Sequence, residues 1–210
     1  MSSIRATPPA MPCLALLLVA GALAWPRAAE AKGTFFLLEL NTGLSESPYR
    51  EGGPALSFGA ASGVTVRVPA TPLRLYLLGT VVHRGGAVSG THAGAAYTAD
   101  RSDVDLFFGP RVMVPVWRML RVYGEVGVGT RFSSAYLHRG DGLGTLTGRD
   151  RRFLLVTALG VQARISSLLS VGLRAELAPV GAGPDLATFA ADLRPTQNRL
   201  TGMATLGVHF

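Results

Sequence analysis

Apolar residues recur at every second position through most of this chain. Across 120–132, Val122, Val126, Val128 and Phe132 fall on one face of an extended strand, and Tyr123, Glu125, Gly127, Gly129 and Arg131 fall on the other. Phe58, Ala60, Val64, Val66 and Val68 stand in the same way against Ser57, Gly59, Ala61, Gly63, Thr65 and Arg67. Val104, Leu106, Phe108, Val112 and Val114 stand against Asp103, Asp105, Phe107, Gly109 and Arg111. Successive side chains of a strand point to opposite faces, so these segments predict strands with one apolar face and one face of glycine and charge. Eight segments read this way: 34–41, 56–68, 73–84, 102–116, 120–132, 152–165, 169–178 and 199–210. Most run roughly 10 to 14 residues, long for a globular protein and suited to a strand tilted through a bilayer.

The connections alternate in length. Three are tight, at 69–72, 117–119 and 166–168; four are long and polar or glycine-rich, at 43–55, 85–101, 133–151 and 179–198. Short turns at one end and long loops at the other predict a meander, and an even strand count leaves no unpaired edge for lipid to meet. The expected fold is all-β, a closed eight-stranded antiparallel up-and-down transmembrane β-barrel. Its loops near Glu51, Ser89, Gly142 and Asp185 would face outside, and its turns at Pro69, Trp117 and Ser166 the periplasm. A soluble lipocalin-type barrel has the inverse pattern, with its apolar face inward. The glycines favour the membrane version. Gly59, Gly63, Gly127, Gly129, Gly160, Gly172 and Gly207 all share the charged face, as expected of a crowded lumen that must admit long arginines.

The N-terminus supplies an address. Arg5 precedes an apolar run from Cys13 to Ala24, and Ala29-Glu30-Ala31 offers small residues at the positions a signal peptidase reads. Residues 1–31 are therefore expected to be a secretory signal peptide, and 32–210 an outer-membrane β-barrel domain. The apolar run is too short to be a transmembrane helix, which needs about 20 residues. The one cysteine, Cys13, lies inside the signal, so the remaining chain has no thiol for a disulfide or a metal site.

Composition agrees with a lipid-facing barrel. The chain is 48% hydrophobic but only 16% charged, and its apolarity is spread over short alternating blocks. The net charge of +7 does not point to nucleic acid, because Lys32 is the only lysine and the arginines are scattered over the strands. Asp100, Asp103, Asp141 and Asp150 lack the dense oxygen spacing of a calcium loop, and no metal or other cofactor is expected.

The last strand, Leu200-Thr201-Gly202-Met203-Ala204-Thr205-Leu206-Gly207-Val208-His209-Phe210, alternates to a terminal aromatic. In this it resembles the small eight-stranded bacterial outer-membrane barrels typified by the transmembrane domain of outer membrane protein A and by outer membrane protein X. The resemblance takes in about residues 33–210. It implies residence in the bacterial outer membrane, contact with outer-membrane lipid, and a role for Phe210 as the mark read by the barrel assembly machinery. The aromatic girdle of that class is thin here: Trp117 at a turn, with Tyr49, Tyr97 and Tyr136 near loops.

Alternation also gathers charges inside. Glu39, Asp103, Asp105, Glu125 and Glu176 share the lumen face with Arg67, Arg74, Arg84, Arg111, Arg131, Arg164 and Arg174. An isolated buried charge costs several kcal/mol, so these groups are expected to pair and plug a lumen only wide enough for side chains or one small ligand. The expected function is a non-enzymatic outer-membrane barrel with a structural or surface-interaction role, offering an external ligand its long loops, including Gly86–Gly90 and Pro184–Phe189. The alternative is a narrow ion-conducting pore. A lipid-modifying barrel enzyme fits less well, because His83, His92 and His138 are each followed by a residue and a glycine where a deacylase-type motif has a serine, and His209 lies at the far end from the surface lipid.

Overall fold

The computed structural model describes residues 34–49, 52–67, 71–140, 144–179, 193 and 198–210. Residues 1–31 of the expected signal peptide lie outside these, as do most of 179–198 and the Pro184–Phe189 segment. The strands are β1 (Thr34–Ser45), β2 (Ala55–Arg67), β3 (Arg74–His92), β4 (Ala95–Pro115), β5 (Leu120–Arg139), β6 (Thr145–Arg164), β7 (Leu169–Pro179) and β8 (Asn198–His209). Each pairs antiparallel with the next in chain order, and β1 pairs with β8 from Leu37 opposite His209 to Ser45 opposite Thr201, so the order runs round a closed barrel. The final link of that seam is a pair of backbone bonds, Phe36 N–H to the Phe210 carbonyl at 3.0 Å and Phe210 N–H to the Phe36 carbonyl at 2.9 Å.

The strand lengths expected from the sequence require correction on one side of the ring. Strands β3 to β6 have 19, 21, 20 and 20 residues, whereas β1, β2, β7 and β8 have 12, 13, 11 and 12. At about 3.3 Å per residue and about 45° of tilt, 12 residues climb about 28 Å and 20 climb about 47 Å, well past a hydrocarbon core of about 30 Å. One side of the wall therefore stands far above the bilayer.

The expected loops at 85–101 and 133–151 are largely strand. Tyr97 to Leu137 continues the β4–β5 register without a break, from Tyr97 opposite Arg139 to Ser102 opposite Ser134. The β3–β4 hairpin closes in a two-residue turn, with Ala93 at φ 51° and Gly94 at φ 80°, the left-handed pair that matches strand twist. Glycines at 85, 86 and 90 thin the apolar alternation there, which hides a strand from its periodicity.

The outer face of the lower barrel is a belt of exposed aliphatic and aromatic side chains, among them Leu40, Phe58, Val66, Phe108, Val126, Phe153, Leu159, Leu173 and Leu206. Water would not tolerate so continuous an apolar surface, and hydrocarbon would. The lumen face carries the buried residues. Glycine's part there differs from expectation: its missing side chain makes room for neighbouring strands and rings rather than for arginines. A Cβ on Gly129 would meet the Leu106 carbonyl oxygen at 1.9 Å, and one on Gly160 would meet the Tyr123 ring at 2.2 Å.

Candidate functional site

The lumen is filled in layers. Nearest the short turns, Leu37, Tyr76, Leu78, Met113 and Tyr123 pack together. Above them lies a chain of ion pairs built from inward positions on five strands. Arg111 of β4 donates both Nη groups to Glu39 of β1, at 2.8 and 3.0 Å, and its Nε to Glu125 of β5 at 2.8 Å. Arg174 of β7 donates to both oxygens of Glu125, at 2.7 and 3.0 Å, and through Nη2 to Glu176 at 2.9 Å. Arg84 of β3 joins Glu176 to Asp105 of β4, and Arg131 of β5 grips Asp105 at 2.6 and 2.7 Å.

Four acids thus alternate with four bases in one continuous and neutral chain. Arg84, Arg111 and Arg174 are almost wholly buried, and the Tyr123 ring braces Arg111 with its face 4.2 Å from the guanidinium carbon. Charges taken out of water are costly, and the penalty is offset only where each keeps its hydrogen bonds, as bidentate arginine–carboxylate pairs do.

A second cluster sits higher. Asp103 receives Arg101 Nε at 2.9 Å and the Ser133 hydroxyl at 2.6 Å, and Arg199 Nη1 lies 3.1 Å from its other oxygen. Above this, Tyr49, Val88, Tyr97, Ala99, Ala135, Leu137 and Leu193 form an apolar cap between the tall hairpins. Tyr49 and Tyr97 therefore do not belong to an aromatic girdle: both are buried here, and burial pushes the Tyr49 hydroxyl up to about 12. Trp117, in the β4–β5 turn, is widely exposed and can anchor that end.

The structure thus joins Glu39, Arg84, Asp105, Arg111, Glu125, Arg131, Arg174 and Glu176 in one chain and gives Asp103 its own partners. Arg74 and Arg164 lie apart from it, near the short turns; Arg164 donates its Nε to the Ser166 carbonyl at 3.1 Å. The Arg67 side chain lies outside the described residues. Sequence reasoning missed Arg101, Arg199 and Arg121. All three share the inward parity of Asp103, Thr201 and Tyr123, a signal obscured because two of them lie at or beyond expected strand ends.

Two histidines meet serines. His83 Nε2 lies 2.9 Å from Ser102 Oγ on the outside of the barrel, and His209 Nε2 lies 2.8 Å from Ser170 Oγ inside it. A nucleophilic triad also needs a group that orients the imidazole, and His83 Nδ1 has no partner among the described residues; its ring instead packs on Phe58 at 4.7 Å. Among the described residues, no three His, Cys, Asp or Glu side chains come together to hold a metal ion.

An ordered ring of eight antiparallel strands, a lipid-facing belt outside and paired charges within are the decisive observations. The chain has the fold of the small bacterial outer-membrane barrels. Among solved structures it is similar to Ail, the attachment invasion locus protein of Yersinia pestis, in complex with the heparin analogue sucrose octasulfate, at 12% identity over 85% of this chain and 99% of that one, with a TM-score of 0.53. Ail alone gives a TM-score of 0.51 at the same identity and coverage. Neisserial surface protein A gives 0.46 at 10% identity, over 83% of this chain and 95% of that one. No protein-family model matches the chain. No curated protein matches it either. As in any outer-membrane barrel, the belt is the surface that meets the bilayer lipid.

Proposed function

We propose that this chain is a non-enzymatic barrel of the bacterial outer membrane that braces the envelope and presents its tall hairpins to the outside. The observation that carries this reading is the combination of a plugged lumen with a wall that rises past the bilayer on β3 to β6 alone. A barrel meant to conduct would need Arg84, Arg111 and Arg174 to leave their carboxylates together, each at the cost of an unpaired buried charge. The hairpins, in contrast, are free to carry chemistry without disturbing the ring.

The chemistry they carry is basic. Arg149, Arg151 and Arg152 are exposed on the outer part of β6, and Arg151 sits over the Phe132 ring at 5.5 Å. This supports a polyanionic surface partner. Ail, similar in fold, has been seen with a sulfated sugar analogue. Cells displaying the barrel should adhere to immobilised heparin, and the triple variant R149A/R151A/R152A should lose most of that adhesion; equal adhesion by both would remove the hairpin from the reading. Planar-bilayer recording addresses the pore: stable channels altered by Arg111→Ala would replace the structural role with conduction. Phe210, whose ring lies 6.1 Å from Phe36 at the seam, is assigned the assembly mark, so Phe210→Ala should lower the inserted fraction in whole-cell membranes.

A further inference from the structure

The tall wall carries a second feature on its outer face, separate from the basic strip of β6. Outward positions of β3, β4 and β5 run in rows fixed by register: Val81, Leu106 and Thr130, then His83, Val104 and Phe132, then Gly85, Ser102 and Ser134, then Ala87, Asp100 and Tyr136. The first two rows belong mostly to the apolar belt. The last two stand above it, where the wall has left the hydrocarbon. A cavity of about 590 Å³ opens over these upper rows. Gly53 and Pro54, where the chain enters β2, line one side, Tyr136 of β5 lines the other, and Gly85, Asp100 and Ser102 lie between them.

The groove is open because glycine stands where side chains would fill it. A Cβ on Gly85 or on Gly53 would meet nothing within 4 Å. Tyr136 is exposed at its edge. Asp100 is half-buried, and among the described residues its carboxylate has no hydrogen-bond or ion-pair partner. The arginine of the lining does not answer it: Arg101 turns inward, its Nε donating to Asp103 at 2.9 Å and its Nη2 to the Ser133 hydroxyl at 3.2 Å. The Ser102 hydroxyl is already bonded to His83 at 2.9 Å. On a chain of net charge +7, the groove therefore offers chiefly acceptors, a carboxylate and the negative face of an aromatic ring.

We propose that this groove takes a basic side chain, above all an arginine, from a partner polypeptide. Charge complementarity selects the occupant: an anion would meet the Asp100 carboxylate without a cation to offset it, whereas a guanidinium pairs with that carboxylate through two N–H groups and lays its plane on the Tyr136 ring. The bare floor at Gly85 lets the partner's backbone come close to the wall. The inference rests on the reading of the tall wall as a surface that meets partners, and adds to it a site of opposite sign. The wall thus presents arginines on β6 and a carboxylate on β4, an arrangement suited to a partner that carries both charges.

Isothermal titration of the capped peptide acetyl-glycyl-arginyl-glycinamide into the purified barrel, held in nanodiscs of zwitterionic lipid, tests this. Saturable binding is expected, although the net positive charge of the chain opposes any diffuse attraction. Asp100→Asn should weaken it about tenfold, as a charge-assisted pair is lost. Tyr136→Ala should weaken it about threefold, and Tyr136→Phe, which keeps the ring, should leave it unchanged. Gly85→Leu retains every charge and sends its side chain into open space, so it should abolish binding by filling the groove. Each variant is first checked for heat-dependent gel mobility, so that binding is compared between folded barrels. Absence of saturable binding in the native chain, equal affinity in Gly85→Leu or Asp100→Asn, or equal affinity for the uncharged peptide with citrulline in place of arginine overturns the proposal. The variant R149A/R151A/R152A should keep peptide binding while losing heparin adhesion, and Gly85→Leu should do the reverse, so the failure of one reading is told apart from the failure of the other.

Discussion

The two ends of the lumen are finished in opposite chemistry. Between the tall hairpins, Tyr49, Tyr97, Leu137 and Leu193 close the interior with apolar side chains, although this part of the wall stands in water. Near the short turns, where the wall is still within reach of lipid, the interior is lined by arginines. Hairpins that leave the bilayer lose the hydrocarbon that would hold them upright, and a small core of their own replaces it. The other end needs no such support and can keep its polar groups for something else.

The sharpest way to break this comparison is to open the middle that separates the ends. Glu125→Ala removes the carboxylate that Arg111 and Arg174 share, leaving an excess of buried positive charge, and should cost about 3–5 kcal/mol, read as a lower urea midpoint in micelles. If the midpoint stays put, the charge chain is not what holds the barrel. Leu137→Ala in the outer cap should cost about 2–4 kcal/mol, and accessibility of the hairpins to protease should rise with it. Gly160→Ala drives a methyl group into the Tyr123 ring that braces Arg111; a loss of about 1–3 kcal/mol is expected from overpacking, seen in the same urea titration. Smallest of all, Arg152→Ala removes an exposed pair with Asp150 and should shift stability by less than about 1 kcal/mol.

Much of this arrangement was legible in the sequence, and the limits have physical causes. Period-2 alternation assigns Glu125, Arg111 and Arg174 to the inside because a strand allows only two faces. It cannot show that Arg111 spans the lumen to Glu39, since pairing across a barrel depends on height, and height depends on register. The upper halves of β3 and β4 escaped notice because Gly85, Gly86 and Gly90 interrupt the pattern. Tyr49 and Tyr97 were misread for a related reason: an aromatic near a loop can sit at a membrane interface or beneath a cap, and composition does not distinguish the two. Arg121 opens its strand beside a tight turn, where parity is hardest to read.

The charge chain also bears on how the ring is put together. Some of its links span strands that are not neighbours: Glu39 of β1 waits for Arg111 of β4, Arg84 of β3 for Glu176 of β7, and Glu125 of β5 for Arg174 of β7. The β4–β5 hairpin pairs Arg111 with Glu125 and Arg131 with Asp105 by itself, but a half-built sheet still leaves links such as Arg84 to Glu176 for later strands to complete. A slip of one residue in β7 would turn Arg174 and Glu176 outward into hydrocarbon together. Errors of register are thereby rejected by solvation before the seam can form, and the strands that arrive last verify the placement of those that came first.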